Sequence, residues 1–560
     1  MVSKTPTSSH HPLHFPSLFF PENMRRKVRR TILFVFISIV AFACVSFHLC
    51  RHAISGDDLR PLPVNFSTAI TNNPYHHNHL IREEDHKYPP SRHVSSVQDP
   101  TSTVSILLPA WEVLVVVVES PDSSLSSDSG EEYSCLFQNN ATSPARFAGV
   151  LPFTNLKTFK CLLPSTVRRF LPFFMPVLMK SPEKPEKSFP ERELLRWNFL
   201  AYESFSTEAD VVLFAKGVNK RQGINRPPSS LRCVFNYETN NTVKTAVISS
   251  SQEVFRCLHP ELTAFTSGAE DRIKISLEIT DENRLVPSVA YYTPRRTLSI
   301  QEAKSPLCAC TMVYNVAKFL KEWVVYHSNI GVDNFILYDN DSDDDLEKVV
   351  EELIQDGYDV RTFFWPWPKT QEAGFSHCAM YAKESCTWMM YVDVDEFVFS
   401  PSWLNSSQPS DNMLKSLLPK TTFKSSLLSS IALRSARPVG QVSIMCNEFG
   451  PSNQRSHPVN GVTQGYICRR RVEQRHKSIV LLDAISPSLL NVIHHFQLKD
   501  GYRSKRLGLE HAVVNHYKYQ AWSEFKAKFR RRVSAYVIDW TQAVNPIVEG
   551  SNSRIRVCAD

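Results

Sequence analysis

The chain has 560 residues, a formal net charge of +7, 42% hydrophobic and 21% charged residues, with 16 glycines and 36 prolines. This composition excludes collagen-like and low-complexity chains, and the length calls for roughly three or four structural units rather than one. The mild positive balance is not a nucleic-acid signature, because a dense part of it is the cluster Arg25-Arg26-Lys27-Val28-Arg29-Arg30.

That cluster precedes Thr31 to Cys50, a run without a charged residue. About 20 such residues span a bilayer, and the basic flank is expected to stay cytosolic. The run is long for a cleaved signal peptide and shows no small-residue cleavage site. Residues 1–30 are therefore expected to be a cytosolic tail and 31–50 a transmembrane signal anchor, with the bulk of the chain in the lumen of the secretory pathway. A span this short suits a thin early-secretory membrane. Luminal sequons then occur at Asn65, Asn140, Asn240, Asn340 and Asn405. Of thirteen cysteines, Cys44 and Cys50 lie in the span. The other eleven face an oxidising compartment, and their odd number implies a free or intermolecular thiol. No paired C-x-x-C spacing supports zinc.

Residues 51–100, rich in Asn, His, Pro and charge, read as a stem. Residues 101–300 read as a β-rich, sandwich-like module. Its strand signals are Trp111 to Val118, Val211 to Phe214, Leu231 to Tyr237 and the alternating Arg272 to Ile279. One helix is expected near Glu191 to Ala201. Cys233 and Cys257 flank a predicted hairpin and are placed to pair across adjacent strands. Buttressing a neighbouring unit and binding glycan are both open roles for this module.

At Leu307 the pattern changes to an α/β alternation. Strands are predicted at Cys308 to Tyr314, Asn334 to Tyr338 and Tyr358 to Phe364. Between and after them come helices over Val316 to Ile330, around Leu346 to Ile354 and over Glu372 to Ser385. A further strand, Trp388 to Val392, runs into Asp393-Val394-Asp395-Glu396. Strands and helices alternating over short loops indicate a parallel sheet covered on both faces, with ligands outside the carboxyl ends of its strands. Thr311, Asp339 and Asp393 all fall there. Two carboxylates two residues apart supply hard oxygens for Mg²⁺ or Mn²⁺ held jointly with nucleotide phosphates. Asp339 to Asp343 imitates the start of a calcium loop, but the sixth position is Asp344 and the twelfth Val350, so the loop fails. Asp343, Asp344 and Asp345 are expected to serve the N-terminus of the following helix. The chain has no G-x-G-x-x-G or Walker loop.

Cys310-Thr311-Met312-Val313-Tyr314-Asn315, Phe335 to Asn340 and Tyr391 to Phe397 together resemble glycosyltransferase family 92. The likeness continues through Phe449-Gly450-Pro451-Ser452, Gly461 to Tyr466, Arg475-His476-Lys477-Ser478-Ile479 and Asn491 to Phe496. The plant branch of that family contains the pectic β-1,4-galactan synthases. The resemblance implies a GT-A nucleotide-sugar transferase fold over residues 301–540, preceded by a carbohydrate-binding-like module and followed by a C-terminal tail, 541–560. It also implies a single-pass type II Golgi membrane protein. Such an enzyme moves galactose with inversion from UDP-galactose to a β-1,4-galactan acceptor, with Mn²⁺ or another divalent cation. A homodimer is left open.

On this reading Asp395 ligates the metal first, Asp393 contacts metal or ribose, and His516 is the third ligand, with His511 and the His494-His495 pair as rivals. Thr311 and Asp339 contact the uridine. Lys477 and Arg475 are candidates for the diphosphate, although Arg469 to Lys477 also reads as a solvated basic stretch. An inverting transfer needs a base, for which Glu448 and Glu396 are the candidates. Trp365 and Trp367 are read either as sugar-stacking residues or as core. A glycoside hydrolase and a glycan-binding protein without turnover are the competing classes.

Overall fold

The computed structural model describes residues 102–528 except 120–131, 170, 181–191, 220–223, 239–240, 262–272, 294–302, 420–436, 474, 493 and 527. The expected tails, membrane span and stem, and the sequons at Asn65 and Asn240, lie outside the described residues.

Two sheets form the N-terminal part, one of seven strands and one of eight. In the first, Glu112–Glu119 pairs antiparallel with Ser102–Leu107 on one side and Leu156–Leu162 on the other. Val113 to Val117 are all buried, which is why the run is continuously apolar rather than alternating. In the second, alternation along Ile273–Ile279 is interrupted by buried Ser276, whose hydroxyl donates to the Val286 carbonyl. The helix expected near Glu191 to Ala201 is absent. Leu195–Arg196 instead pairs parallel with Ser102–Leu107, and Leu200–Ser206 pairs antiparallel with Val211–Lys216. Sheet pairing here overrides the local helical pattern.

Disulfides join Cys135 to Cys161, Cys233 to Cys257, Cys308 to Cys386 and Cys310 to Cys378, while Cys446 is a buried free thiol. The expected Cys233–Cys257 bond is present, but its strands are not adjacent. Leu231–Phe235 and Val254–Cys257 both pair with Val243–Ser251, which bends at a bulge between them.

In the C-terminal part the parallel strands are β1 (Ser305–Val313), β2 (Asn334–Asp339), β3 (Asp359–Phe364) and β4 (Cys386–Tyr391). They alternate with α1 (Ala317–Asn329), α2 (Leu346–Gln355) and α3 (Gln371–Tyr381). After these come β5 (Glu396–Phe399), β6 (Val439–Glu448), β7 (His476–Leu481) and β8 (Val513–His516). The sheet order is β3-β2-β1-β4-β7-β6-β8-β5. Phe319, Leu320, Trp323, Val324 and His327 are buried on α1, as their spacing predicts. Two of the disulfides fasten β1, one to β4 through Cys386 and one to α3 through Cys378. Asp344 does not serve the helix that follows it: its carboxylate accepts the Ala317 N–H at 2.9 Å, satisfying the first turn of α1.

The N-terminal sheets and the C-terminal sheet share one apolar core. Phe153 stacks on Phe363 at 5.7 Å, and Tyr202 and Phe214 pack against Trp367 and Trp365 at 5.3 and 6.1 Å. Trp365 and Trp367 are 0% and 2% exposed, so they are core side chains here and not a sugar platform.

At this junction Glu203 is buried, with its own Ser204 N–H as a hydrogen-bond donor at 3.0 Å. Burial outweighs that bond and pushes its carboxyl from 4.5 up to about 8. A raised carboxyl favours the folded state while it keeps its proton. That contribution is full below 4.5 and is lost as pH rises through about 8. Replacing Glu203 with Gln is therefore expected to flatten the decline in unfolding free energy between pH 5 and pH 8, as read by urea denaturation at the two pH values. An unchanged pH slope would contradict the assignment.

Candidate active site at the carboxyl edge of the sheet

Strand β4 ends at Tyr391, and Asp393 to Asp395 form a tight turn into β5, with the Glu396 N–H donating to the Asp393 carbonyl at 3.0 Å. Register places three further elements beside this turn. Ser478 of β7 pairs with Tyr391, so Lys477 lies one residue past the end of β4. On the other flank His516 of β8 lies between Glu396 of β5 and Glu448 of β6.

Lys477 is the hub. Its ammonium meets Asp393 Oδ2 at 2.8 Å, Glu396 Oε2 at 2.8 Å and His494 Nε2 at 2.7 Å. A lysine has three N–H donors and no acceptor, so all three are used and His494 Nε2 must accept. His494 is thus neutral with its proton on Nδ1, and burial together with Lys477 lowers its pKa to about 3. Burial alone would lower the Lys477 pKa, but Asp393 and Glu396 outweigh it and raise it. Asp393 feels the converse: burial pushes its carboxyl up, and Lys477, by charge and by hydrogen bond, pulls it below the ordinary range. Asp395 behaves alike, with burial opposed by Lys528 and His516. Both aspartates are therefore charged.

The two aspartates engage different partners. Asp393 is held by Lys477, while Asp395 Oδ2 lies 3.4 Å from His516 Nε2 and accepts from Lys528 Nζ. Lys528 was not anticipated from sequence. An oxygen and an imidazole nitrogen at that separation match two donors sharing one ion at bonds of about 2–2.3 Å. Among the described residues no three His, Cys, Asp or Glu side chains form a group that could hold a metal ion, so phosphate and water oxygens would complete the coordination. Asp395 and His516 fit a divalent cation on those terms. Of the rival histidines, His511 is exposed and pairs with Glu510 at 2.9 Å, and His494 is committed to Lys477. His495 lies against His476, with ring centroids 4.0 Å apart.

The remaining candidates are more scattered. Asp339 closes β2 and accepts the Ser342 N–H at 3.0 Å. Thr311 is 0% exposed inside β1 and its hydroxyl is unpartnered, so it presents nothing to a ligand in this conformation. Arg475 is exposed and joins none of these contacts: it precedes β7 in left-handed backbone, φ 64°, which takes it out of the strand that carries Lys477. Glu448 is buried and clasped by Arg470 at 2.6 Å and Lys518 at 2.5 Å. Burial raises its carboxyl pKa, and Lys518 and Arg470 more than reverse that, which makes it a weak proton acceptor as arranged. Glu396 has the higher proton affinity, because burial and the neighbouring aspartates raise it. It has no exposed surface, however, and one oxygen accepts the Asp393 N–H at 2.9 Å.

Residues 304–543 match the family model described as glycosyltransferase family 92. A glycosyltransferase family 92 protein of Arabidopsis thaliana is 41% identical over 371 residues, 65% of this chain and 62% of its own length. The comparisons support glycosyltransferase family 92. A second member, from Oryza sativa subsp. japonica, is 38% identical over 63% of this chain and 60% of its own length. The chain thus spans about 60–62% of these curated relatives. Among solved structures, a mannosyltransferase from Pyrobaculum calidifontis in complex with GDP-Man and Mn²⁺ is 11% identical, covering 26% of this chain and 36% of that one. Its TM-score of 0.18 is too low to carry weight.

The sequon at Asn340 bears on the same sheet edge. Its Nδ2, the atom a glycan would occupy, donates to the Trp365 and Trp367 carbonyls at 2.7 and 3.1 Å. Asn140 and Asn405 are exposed. Glycopeptide mass spectrometry of protein secreted from a eukaryotic host should find Asn340 unmodified; high occupancy there in folded protein would contradict this loop geometry.

Proposed function

We propose that this chain is an inverting, divalent-cation-dependent galactosyltransferase that moves galactose from UDP-galactose onto β-1,4-galactan side chains of pectin, as a type II protein of the Golgi membrane. The observation that carries the reading is the convergence of Asp395 and His516 at the carboxyl edge of the sheet, beside Asp393, within the segment that matches family 92. The galactose donor and galactan acceptor are supported by the linked motifs from Cys310 to Phe496 that resemble the plant branch of that family.

In an inverting transfer the acceptor hydroxyl attacks the anomeric carbon as the nucleoside diphosphate departs, and negative charge grows on the β-phosphate. A divalent cation, when bound, supplies positive charge at that oxygen. Asp395 and His516 would hold it. Lys477 keeps Asp393 ionised and fixed, so that its part-exposed carboxylate can orient ribose hydroxyls or metal-bound water. Asp339 would receive the nucleoside at the end of β2. Taking the acceptor proton requires Glu448 to be released from Arg470 or Lys518 when substrate binds, or Glu396 to gain access to it.

The experiment is a donor screen with the full-length chain, Mn²⁺, a panel of UDP-sugars and β-1,4-galactan oligosaccharides. Transfer is expected from UDP-galactose alone, lost on chelation and restored by Mn²⁺. Transfer from another donor would overturn the choice of galactose, and no turnover with any donor would favour a glycan-binding protein. Asp395→Asn keeps size but removes charge, and is expected to lower transfer at least about a hundredfold with the fold intact. Near-normal transfer by that variant would sink the metal assignment.

A further inference from the structure

Three loops around the acidic edge are each hydrogen-bonded to the N-terminal sheets. The first follows β2. Its Asp341 is 6% exposed and sits in left-handed backbone, φ 66°. The Asp341 carboxylate accepts from Arg146 Nη2 at 2.9 and 3.0 Å and from Lys160 Nζ, which also meets Glu112 at 3.0 Å. The second follows β3, where Lys216 Nζ donates to the Pro368 and Lys369 carbonyls, each at 2.9 Å. Lys216 is itself held by Glu253 at 2.9 Å. The third leads to His494: Gln252 Nε2 donates to the Asn491 carbonyl at 2.8 Å, and Arg256 Nη1 to the Pro487 carbonyl at 2.7 Å.

These loops adjoin Asp339, Gln371 and His494, and the latter two contact Asp393 at 3.5 and 3.6 Å. The first grip is the tightest. Asp341 is a buried charge whose partners both come from the other part of the molecule, and losing one leaves it under-compensated. Its positive φ is a sparsely populated conformation that persists only when surroundings over-determine it. The same turn carries the bond from the Ser342 N–H to Asp339, and Ser342 Oγ accepts the Asn315 N–H at 2.9 Å. Moving Asp341 therefore moves Asp339.

We infer that the N-terminal β-rich module is a positioning element of the donor subsite, in which Arg146 and Lys160 clamp Asp341 and thereby set the Asp339–Ser342 turn that receives the nucleotide. The inference rests on reading the end of β2 as the nucleoside subsite. It assigns the module to the donor rather than to the acceptor glycan. Arg146 and Lys160 are positioning residues, since they act through Asp341.

The test uses the full-length chain with Arg146→Gln, Lys160→Met and the charge-preserving Arg146→Lys. UDP affinity is read by calorimetry in Mn²⁺, and the loop by amide hydrogen exchange of residues 339–345. Donor and acceptor KM follow from kinetics. Arg146→Gln is expected to raise the UDP Kd and the donor KM on the order of tenfold, the scale of coupling through one packed element. It should also speed exchange in 339–345, leave kcat and acceptor KM within about twofold, and be rescued by Arg146→Lys. Lys160→Met should act more strongly; if it does not fold, Arg146→Gln decides, because the Arg146 side chain is 46% exposed. Unchanged UDP affinity and exchange in a wild type that binds UDP would overturn the clamp alone. A rise in acceptor KM with UDP affinity intact would overturn it in favour of an acceptor role. A wild type that binds no UDP would overturn the donor reading, and the donor role of the clamp with it.

Discussion

The site depends on one buried ammonium. Lys477 holds Asp393, Glu396 and His494 with its three N–H groups, in a place where two carboxylates without it would meet at a strand end with no compensating charge. Replacing such a network with apolar residues is often neutral for stability, whereas removing one member of it is costly, about 3–5 kcal/mol. Its value here is geometric. It fixes the turn between β4 and β5, so that Asp395 points the other way, toward β8 and His516.

A division of labour follows along the turn. On the Asp393 side one carboxylate oxygen is held by Lys477, and the part-exposed carboxylate keeps its other oxygen toward the cleft with only Gln371 at 3.5 Å. On the Asp395 side the protein offers one carboxylate, one imidazole and the ammonium of Lys528, a set that an arriving ion and diphosphate would rearrange. The shared apolar core carries this outward. Trp365 and Trp367 seal the joint between the N-terminal sheets and the end of β3, and the ion pairs of Asp341 and Lys216 lie beside that seal.

Much of this was legible in the sequence wherever a local pattern determined the outcome. Strands β1 to β4 and helices α1 and α2 follow from hydrophobic period and from the glycines at 331 and 357, and the turn after Tyr391 follows from an apolar run meeting three acids. The failures have a common cause in tertiary pairing. Residues near 195–201 became strand because neighbouring strands offered partners. Asp344 went to α1 because the loop folds back on it; of the two readings open for Trp365 and Trp367, core is the one found, because a second set of sheets covers them. Arg469 to Lys477 read either as a diphosphate contact or as a solvated basic run; β7 buries Lys477, while Arg475, in left-handed backbone before the strand, and His476 stay outside. Sequence spacing had no signal for Lys160 and Asp341, which are far apart in the chain and meet only because the β-rich sheets and the end of β2 are packed together.

The central claim is that the nucleotide and its cation bind at the Asp393–Asp395 turn. The most direct measurement is a crystal structure of the chain soaked with Mn²⁺ and UDP, with anomalous diffraction locating the metal. The account predicts a manganese peak within bonding distance of Asp395 and His516, with the diphosphate across it and uracil toward Asp339. A manganese peak elsewhere, or UDP bound away from the end of β2, would contradict it.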